Sequence, residues 1–231
     1  MRRTLVAVAT VTTAAALYTG ARTGRFFVDM KGVLPPHYGY SAYFACVLVF
    51  LGPTWARYGA VAALLLSGNR AAWVGAIAGW AYLGGRRRIA AAALLCVLAT
   101  IGGLAVKPPD SRARNDSARV IIWKAVGRTI QRHPDGIGPG ALALGVEGYE
   151  VNHAHSDLLE IAVVWGFQRA VLVVILAAYG FWLLPRSPEK ALLVALTTTS
   201  ILDNRLTTHS ACLALYLVVW ATAFGRIARR E

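Results

Sequence analysis

The sequence predicts an all-α protein, a polytopic transmembrane helical bundle of about eight spans with one extracytoplasmic, partly helical loop. Three observations lead to this prediction. Hydrophobic residues make up 57% of the 231 residues and charged residues only 15%, which leaves little polar surface to cover a soluble globule. The apolar residues form continuous runs, and short basic clusters separate them. Basic clusters of this kind are typical of cytoplasmic loops between membrane spans.

The apolar runs give the predicted helices in order along the chain. Each bilayer crossing needs about 20 apolar residues, and fewer when helices are short or interrupted. The first run follows a basic N-terminus, and an uncleaved span is favoured over a cleaved signal peptide, which would begin in the same way. The runs are Thr4–Tyr18, Tyr38–Leu51, Gly59–Gly84 as two helices, Ile89–Val106, His155–Leu184, a run that ends at about Leu202, and Thr208–Phe224. Within the run His155–Leu184, Gly166 predicts a break between an interfacial helix and the span itself.

The run Gly59–Gly84 is interrupted by the polar tetrapeptide Ser67-Gly68-Asn69-Arg70. This interruption predicts a turn between two short helices. One continuous helix is the alternative, but it would place Arg57 and the basic triplet 86–88 on opposite sides of a membrane, against the usual distribution of positive charge.

The charge pattern predicts a single integral membrane domain, 1–231. Both termini and the strongly basic clusters would be cytoplasmic, and the loop 107–154 would be extracytoplasmic. The net charge of +13 does not indicate a nucleic-acid partner, because the basic residues are dispersed among apolar runs rather than gathered on one soluble face. The predicted partner is therefore the lipid bilayer.

The long loop contains the main polar features of the chain. Residues 117–131 predict a helix, capped by Asp116 or Ser117, with Arg119 and Arg128 on flanks that could meet an anion. A glycine-rich segment, 136–140, follows. Its Gly residues permit positive φ angles or close approach of a ligand to the backbone. The segment lacks the Lys-Ser/Thr of a P-loop, so a nucleotide site is not predicted.

The pair His153 and His155, with Asp157 and Glu160 after it, allows three interpretations. A metal site is one, although no third strong ligand set accompanies the pair, and no metal or cofactor is predicted. A structural His is the second. The third is a general base, since an unperturbed imidazole titrates at about pH 6.5. Three cysteines, an odd number, lie inside apolar runs and are interpreted as small core residues: Cys46, Cys96 and Cys212.

Four motifs follow one another along the chain: Ser67-Gly68-Asn69-Arg70, Arg119 with Trp123, Pro134-x-Gly136-x-Gly138-x-Gly140, and His155-Ser156 followed by Leu159 and Gly166. In this order they resemble the motifs of the O-antigen ligase and O-antigen polymerase family, which are bacterial membrane glycosyltransferases of polysaccharide and lipopolysaccharide biosynthesis in the cell envelope. Asn69 and Ser156 stand where the family usually has serine and asparagine. The resemblance covers the chain from about Gly59 to its C-terminus, and it implies a location in the bacterial inner membrane with an extracytoplasmic active site.

The resemblance implies transfer of a glycan from a polyprenyl diphosphate carrier to a hydroxyl of a glycan or lipid acceptor, without a metal. Arg70 and Arg119 would bind the diphosphate, because guanidinium groups pair bidentately with phosphate oxygens. His155 would accept the proton of the attacking hydroxyl. These three residues are the predicted catalytic residues, and the predicted substrate-binding residues are Arg114, Arg128, His153, Gly138 and Gly140. Asp157 or Glu160 could orient His155.

Two other classes of protein remain open. A non-catalytic relative, acting as a membrane scaffold or as a module that binds the carrier lipid, is supported by the absence of several N-terminal spans that the family usually has. A transporter would predict broken helices in symmetric pairs, and the sequence has no internal repeat of that kind.

Overall fold

The structure, a computed structural model, describes residues 2–23, 40–66, 69–84, 109–142, 144–146, 149–151, 153–203 and 210–227. Within these ranges the chain forms helices and one short antiparallel β-hairpin, in which Gly145 pairs with Glu150. The helices are α1 (Arg2–Thr23), α2 (Tyr40–Leu51), α3 (Thr54–Leu66), α4 (Arg70–Leu83), α5 (Pro109–Arg132), α6 (Asp157–Trp165), α7 (Phe167–Leu183), α8 (Pro188–Leu202) and α9 (Ser210–Ile227), and the strands are β1 (Leu144–Val146) and β2 (Tyr149–Val151).

No helix within the described ranges combines the length and the apolarity that a membrane crossing requires. The predicted transmembrane bundle is therefore wrong, and so is the predicted multi-pass location in the bacterial inner membrane with cytoplasmic termini and an extracytoplasmic loop. The physical reason lies largely in helix length, because a crossing needs about 20 apolar residues. Many of the helices are shorter: α2, α3, α4, α6, α7 and α8 have 12, 13, 14, 9, 17 and 15 residues.

The helix boundaries explain why the composition was misleading. Helices end at Leu51, Leu66 and Trp165, so the apolar runs that contain these residues yield short helices. The apolar side chains of α2 also pack within the protein. From Phe44 to Leu51, every residue of α2 is buried. The predicted fifth span, 89–106, lies outside the described residues.

The chain divides into two compact units. Unit 1 comprises Met1–Gly103, Leu184–Thr199 and Ala214–Glu231, and unit 2 comprises Leu104–Leu183 and Ser200–Leu213. Arg119, His153 and His155 belong to unit 2, and Arg70 belongs to unit 1. The two units are described separately below.

In unit 1, the predicted break between two short helices is confirmed. α3 ends at Leu66 and α4 begins at Arg70. Asn69 is the N-cap of α4, and its side-chain oxygen accepts a hydrogen bond of 3.0 Å from the backbone N–H of Ala72. This bond satisfies one of the donors that a helix start leaves unpaired. Ser67 and Gly68 lie outside the described residues.

Two glycines of α4 let this helix approach α8 closely within unit 1. A Cβ atom at Gly75 would lie 2.3 Å from the carbonyl oxygen of Ala195, and one at Gly79 would lie 2.5 Å from the carbonyl oxygen of Ala191. Both distances are far below van der Waals contact, so a larger residue at either position would force the helices apart. Gly75 and Gly79 are four residues apart and therefore lie on one face of α4.

In unit 2, α5 starts earlier than the sequence predicted. The expected helix was 117–131, whereas α5 begins at Pro109 and ends at Arg132. Proline suits the first turn of a helix because the N–H that it lacks has no partner there in any case. The helix therefore extends through the polar segment that the sequence suggested as its cap.

The core of unit 2 lies between α5, the loop after it and α6. α7 adds few buried residues, since Ala170 and Gly180 are buried while its apolar side chains from Val171 to Leu176 are exposed. The predicted break at Gly166 is confirmed, because α6 ends at Trp165 and α7 begins at Phe167. The buried core side chains are those of Ile122, Val126, Leu142, Ala154, Val163 and Val164.

Candidate functional site

The His-containing turn, residues 153–156, lies in unit 2 between β2 and α6. Ala154 is fully buried, and its two neighbours, His153 and His155, are not. The backbone N–H of Ala154 donates a hydrogen bond of 2.6 Å to Oε2 of Glu160, and its carbonyl oxygen accepts one of 3.0 Å from Nε1 of Trp123. Side chains from α5 and α6 thus hold the backbone between the two histidines.

His155 has an unusual backbone conformation. Its φ angle is +53°, and no other non-glycine residue in the described part of the chain has a positive φ. Such a conformation places Cβ close to the following carbonyl oxygen and costs about 1–2 kcal/mol for an L-residue. Strained residues of this kind are concentrated at functional sites, where the surrounding structure maintains them. The backbone conformation therefore marks His155 as a candidate functional residue, independently of the sequence motif.

Glu160 connects the turn to the first turn of α6. It is 9% exposed, and its Oε1 lies 3.6 Å from Nδ1 of His153. This distance allows an ion pair when the imidazole is protonated. The sequence suggested that Glu160 could orient His155, but the carboxylate contacts His153 and the backbone of Ala154 instead.

Arg119 lies on α5, one helical turn before Trp123. Residues four apart project from the same side of a helix, and the indole of Trp123 reaches Ala154, which directly precedes His155. Arg119 therefore lies on the face of α5 that is turned toward the His-containing turn. It is partly buried, and its Nη1 donates a hydrogen bond of 3.2 Å to the carbonyl oxygen of Leu202.

The glycine-rich segment is attached to the end of α6. The N–H groups of Ile137 and Gly138 donate to the carbonyl oxygens of Val163 and Val164 at 2.9 and 3.0 Å. The N–H of Phe167 donates to the carbonyl oxygen of Pro134 at 2.8 Å. The bonds to Val163 and Val164 satisfy carbonyl groups that the C-terminus of α6 otherwise leaves unpaired.

The glycines of this segment differ in their surroundings. All three have positive φ angles, but a Cβ at Gly136 would lie 2.5 Å from the carbonyl oxygen of Val164, whereas nothing lies within 4 Å of a Cβ at Gly138 or Gly140. Gly136 therefore permits close packing against α6. Gly138 and Gly140, which are predicted to bind substrate, border open space, and the N–H of Gly138 is already bonded to Val164.

The other predicted binding residues have different positions. Arg128 is exposed on α5, nine residues after Arg119, so at 3.6 residues per turn it points to the opposite side of the helix. Arg114 lies on the same helix, and its side chain is outside the described residues. Arg70 is exposed at the start of α4 in unit 1. The predicted roles of these three residues stay predictions.

Among the described residues there is no group of three or more His, Cys, Asp or Glu side chains that could hold a metal ion. Cys46 and Cys212 are buried thiols, and burial raises the pKa of the Cys46 thiol to about 12. Cys96 lies outside the described residues. The chemically reactive side chains that the structure describes near the His-containing turn carry imidazole, carboxylate and guanidinium groups.

Sequence reasoning missed two features of the site. Trp123 packs against the core of unit 2, and its indole N–H also bonds to the His-containing turn, which sequence reasoning did not predict. Its spacing of four from Arg119 was the available signal. Asp203 is 4% exposed and directly follows Leu202, the acceptor for Arg119. Its sequence position, in a short polar turn, gave no indication that it would be buried.

Comparisons of the chain with protein-family models, with curated proteins and with solved structures give no match. The resemblance to O-antigen ligases and polymerases therefore rests on the motifs alone.

Proposed function

We propose that the chain transfers a glycan from a polyprenyl diphosphate carrier to an acceptor hydroxyl, with His155 as the general base and Arg119 as a ligand of the diphosphate. The observation that supports this most strongly is the conformation of His155. It is a chemically competent residue held at a φ of +53°, on a turn that contacts the face of α5 carrying Arg119.

In the proposed reaction the imidazole of His155 accepts the proton of the acceptor hydroxyl. The acceptor oxygen forms a bond to the anomeric carbon as the bond from that carbon to the diphosphate oxygen breaks. The lipid diphosphate leaves with the electron pair, and the guanidinium of Arg119 stabilises the developing negative charge. The imidazolium then gives its proton to water.

The planar guanidinium of Arg119 would supply fixed positive charge of the kind that a divalent metal provides in many phosphate-handling enzymes. Arg70 belongs to unit 1, and its role as a ligand of the diphosphate stays a prediction of the first motif. A metal-independent reaction follows from this proposal.

The proposal is tested by replacing His155 with Asn in the full chain. Asn tolerates the left-handed conformation better than most residues, so the variant should fold, but it has no basic nitrogen. We expect transfer from a polyprenyl diphosphate carrying a short fluorescent glycan to fall by about 10² to 10⁴ in rate, the usual contribution of a general base.

His133→Asn is the matched control, because His133 is exposed in the loop after α5 and the chemical change is identical. It should transfer glycan at the wild-type rate. Undiminished transfer by His155→Asn would refute the proposed role of His155. Binding of the carrier by the wild-type chain without any transfer would instead support a non-catalytic binding module.

A further inference from the structure

The peptide groups on either side of Ala154 are held by two side chains from different helices. Glu160 accepts the N–H at 2.6 Å, and Trp123 donates to the carbonyl oxygen at 3.0 Å. Ala154 is fully buried, so water does not compete for these groups. An unpaired backbone group in such a place is costly. The two side chains therefore determine where the backbone between His153 and His155 lies.

The residue that follows this fixed point is the strained one. Relaxation of His155 from a φ of +53° to an ordinary value near −60° would rotate its backbone by more than about 100°. Such a rotation would redirect the imidazole. A strained conformation persists only where the surrounding structure maintains it, and the two bonds to Ala154 join the residue directly before His155 to α5 and α6.

We propose that Trp123 and Glu160 are positioning residues, which hold His155 in its strained conformation by fixing the peptide groups of Ala154. This inference rests on the proposed function of His155. Neither residue needs to contact the substrate, and each acts through the backbone. Glu160 has a second contact, because its other oxygen lies 3.6 Å from Nδ1 of His153.

Three substitutions test the two hydrogen bonds to Ala154 one at a time. Trp123→Phe keeps an aromatic ring but removes the donor to the carbonyl oxygen of Ala154. Glu160→Leu removes the acceptor for the N–H, whereas Glu160→Gln retains an amide oxygen in that place. We expect Trp123→Phe and Glu160→Leu to lower kcat by about 10²-fold, the cost of a misplacement of roughly 1 Å. KM should change much less, and Glu160→Gln should restore most of the activity that Glu160→Leu loses.

Val126→Ala is the control for a merely structural effect. Val126 is fully buried on α5 in the same core, but its side chain makes no hydrogen bond. This variant should be less stable than the wild type with an unchanged kcat per folded molecule. If Trp123→Phe and Glu160→Leu also keep the wild-type kcat per folded molecule while His155→Asn is inactive, the inference is refuted and the proposed function is not.

A second measurement does not depend on turnover. Hydrogen exchange of the Ala154 amide should be slow in the wild type and in Glu160→Gln, because the amide is buried and bonded. It should be much faster in Glu160→Leu, while the amides of the middle of α5 keep their protection. Unchanged exchange at Ala154 in Glu160→Leu would overturn the inference whether or not the chain transfers glycan.

Discussion

Replacement of Gly136 by Ala probes the attachment of the glycine-rich segment to α6. Gly136 has a φ of +93°, and a methyl group on it would lie 2.5 Å from the carbonyl oxygen of Val164 and 2.7 Å from the nitrogen of Gly166. These are backbone atoms, which cannot rotate away as a side chain can. The segment must therefore move away from the end of α6 to accept the methyl group.

The cost of this movement can be worked out from the contacts that it breaks. The positive φ itself costs an L-residue about 1–2 kcal/mol. Three hydrogen bonds join the segment to the α6–α7 junction, donated by Ile137, Gly138 and Phe167, and each contributes about 1 kcal/mol. If all three are lost, Gly136→Ala lowers the free energy of unfolding by about 4–5 kcal/mol.

Gly138→Ala is the matched control for this change. Gly138 has a similar φ of +86°, but nothing lies within 4 Å of its Cβ position, so only the conformational cost of about 1–2 kcal/mol applies. The free energy of unfolding of both variants is measured by urea titration followed by circular dichroism. Equal losses of stability in the two variants would refute the argument that Gly136 is required for close packing.

Further predictions concern unit 1. Gly75→Ala should lower the free energy of unfolding, because its methyl group would lie 2.3 Å from the carbonyl oxygen of Ala195 on α8. Gly59→Ala should raise the free energy of unfolding by about 0.5–1 kcal/mol, because nothing lies within 4 Å of its methyl group. Thermal unfolding of both variants tests whether the two changes have opposite signs. Burial raises the pKa of Cys46 from 9.0 to about 12, so the stabilising contribution of its neutral thiol is complete below pH 9.0 and is lost as the pH rises through about 12. The stability of Cys46→Ala should therefore decline less steeply in this range, and wild-type Cys46 should react with a maleimide at pH 8 only after unfolding.

The sequence predicted the positions of the helices better than it predicted what surrounds their apolar side chains. The apolar runs correctly located most of the helices, and the polar residues around Asn69 and the glycine at position 166 correctly marked breaks. The transmembrane interpretation was wrong because composition does not distinguish apolar residues that face lipid from those that face other helices. The run Phe44–Leu51 illustrates this, since all its residues are buried within the protein.

The site was predictable in part. The motifs identified Arg119 and His155 as candidates. In the structure, Trp123, one turn after Arg119 on α5, bonds to Ala154, which directly precedes His155. The contacts of Glu160 with Ala154 and His153 could not be predicted, because they depend on how the turn enters α6 rather than on spacing. The positive φ angle of His155 could not be predicted either, since nothing in the neighbouring sequence requires it.

We propose that fixed side chains, with His155 as base, transfer a glycan from a lipid diphosphate without a metal. A decisive experiment incubates the purified chain with a fluorescent glycan on polyprenyl diphosphate, and with glycan and lipid acceptors, in the presence and absence of EDTA. We expect equal rates of transfer under both conditions, with release of the intact lipid diphosphate. No transfer to either acceptor, or transfer that chelation abolishes, would refute the proposed reaction.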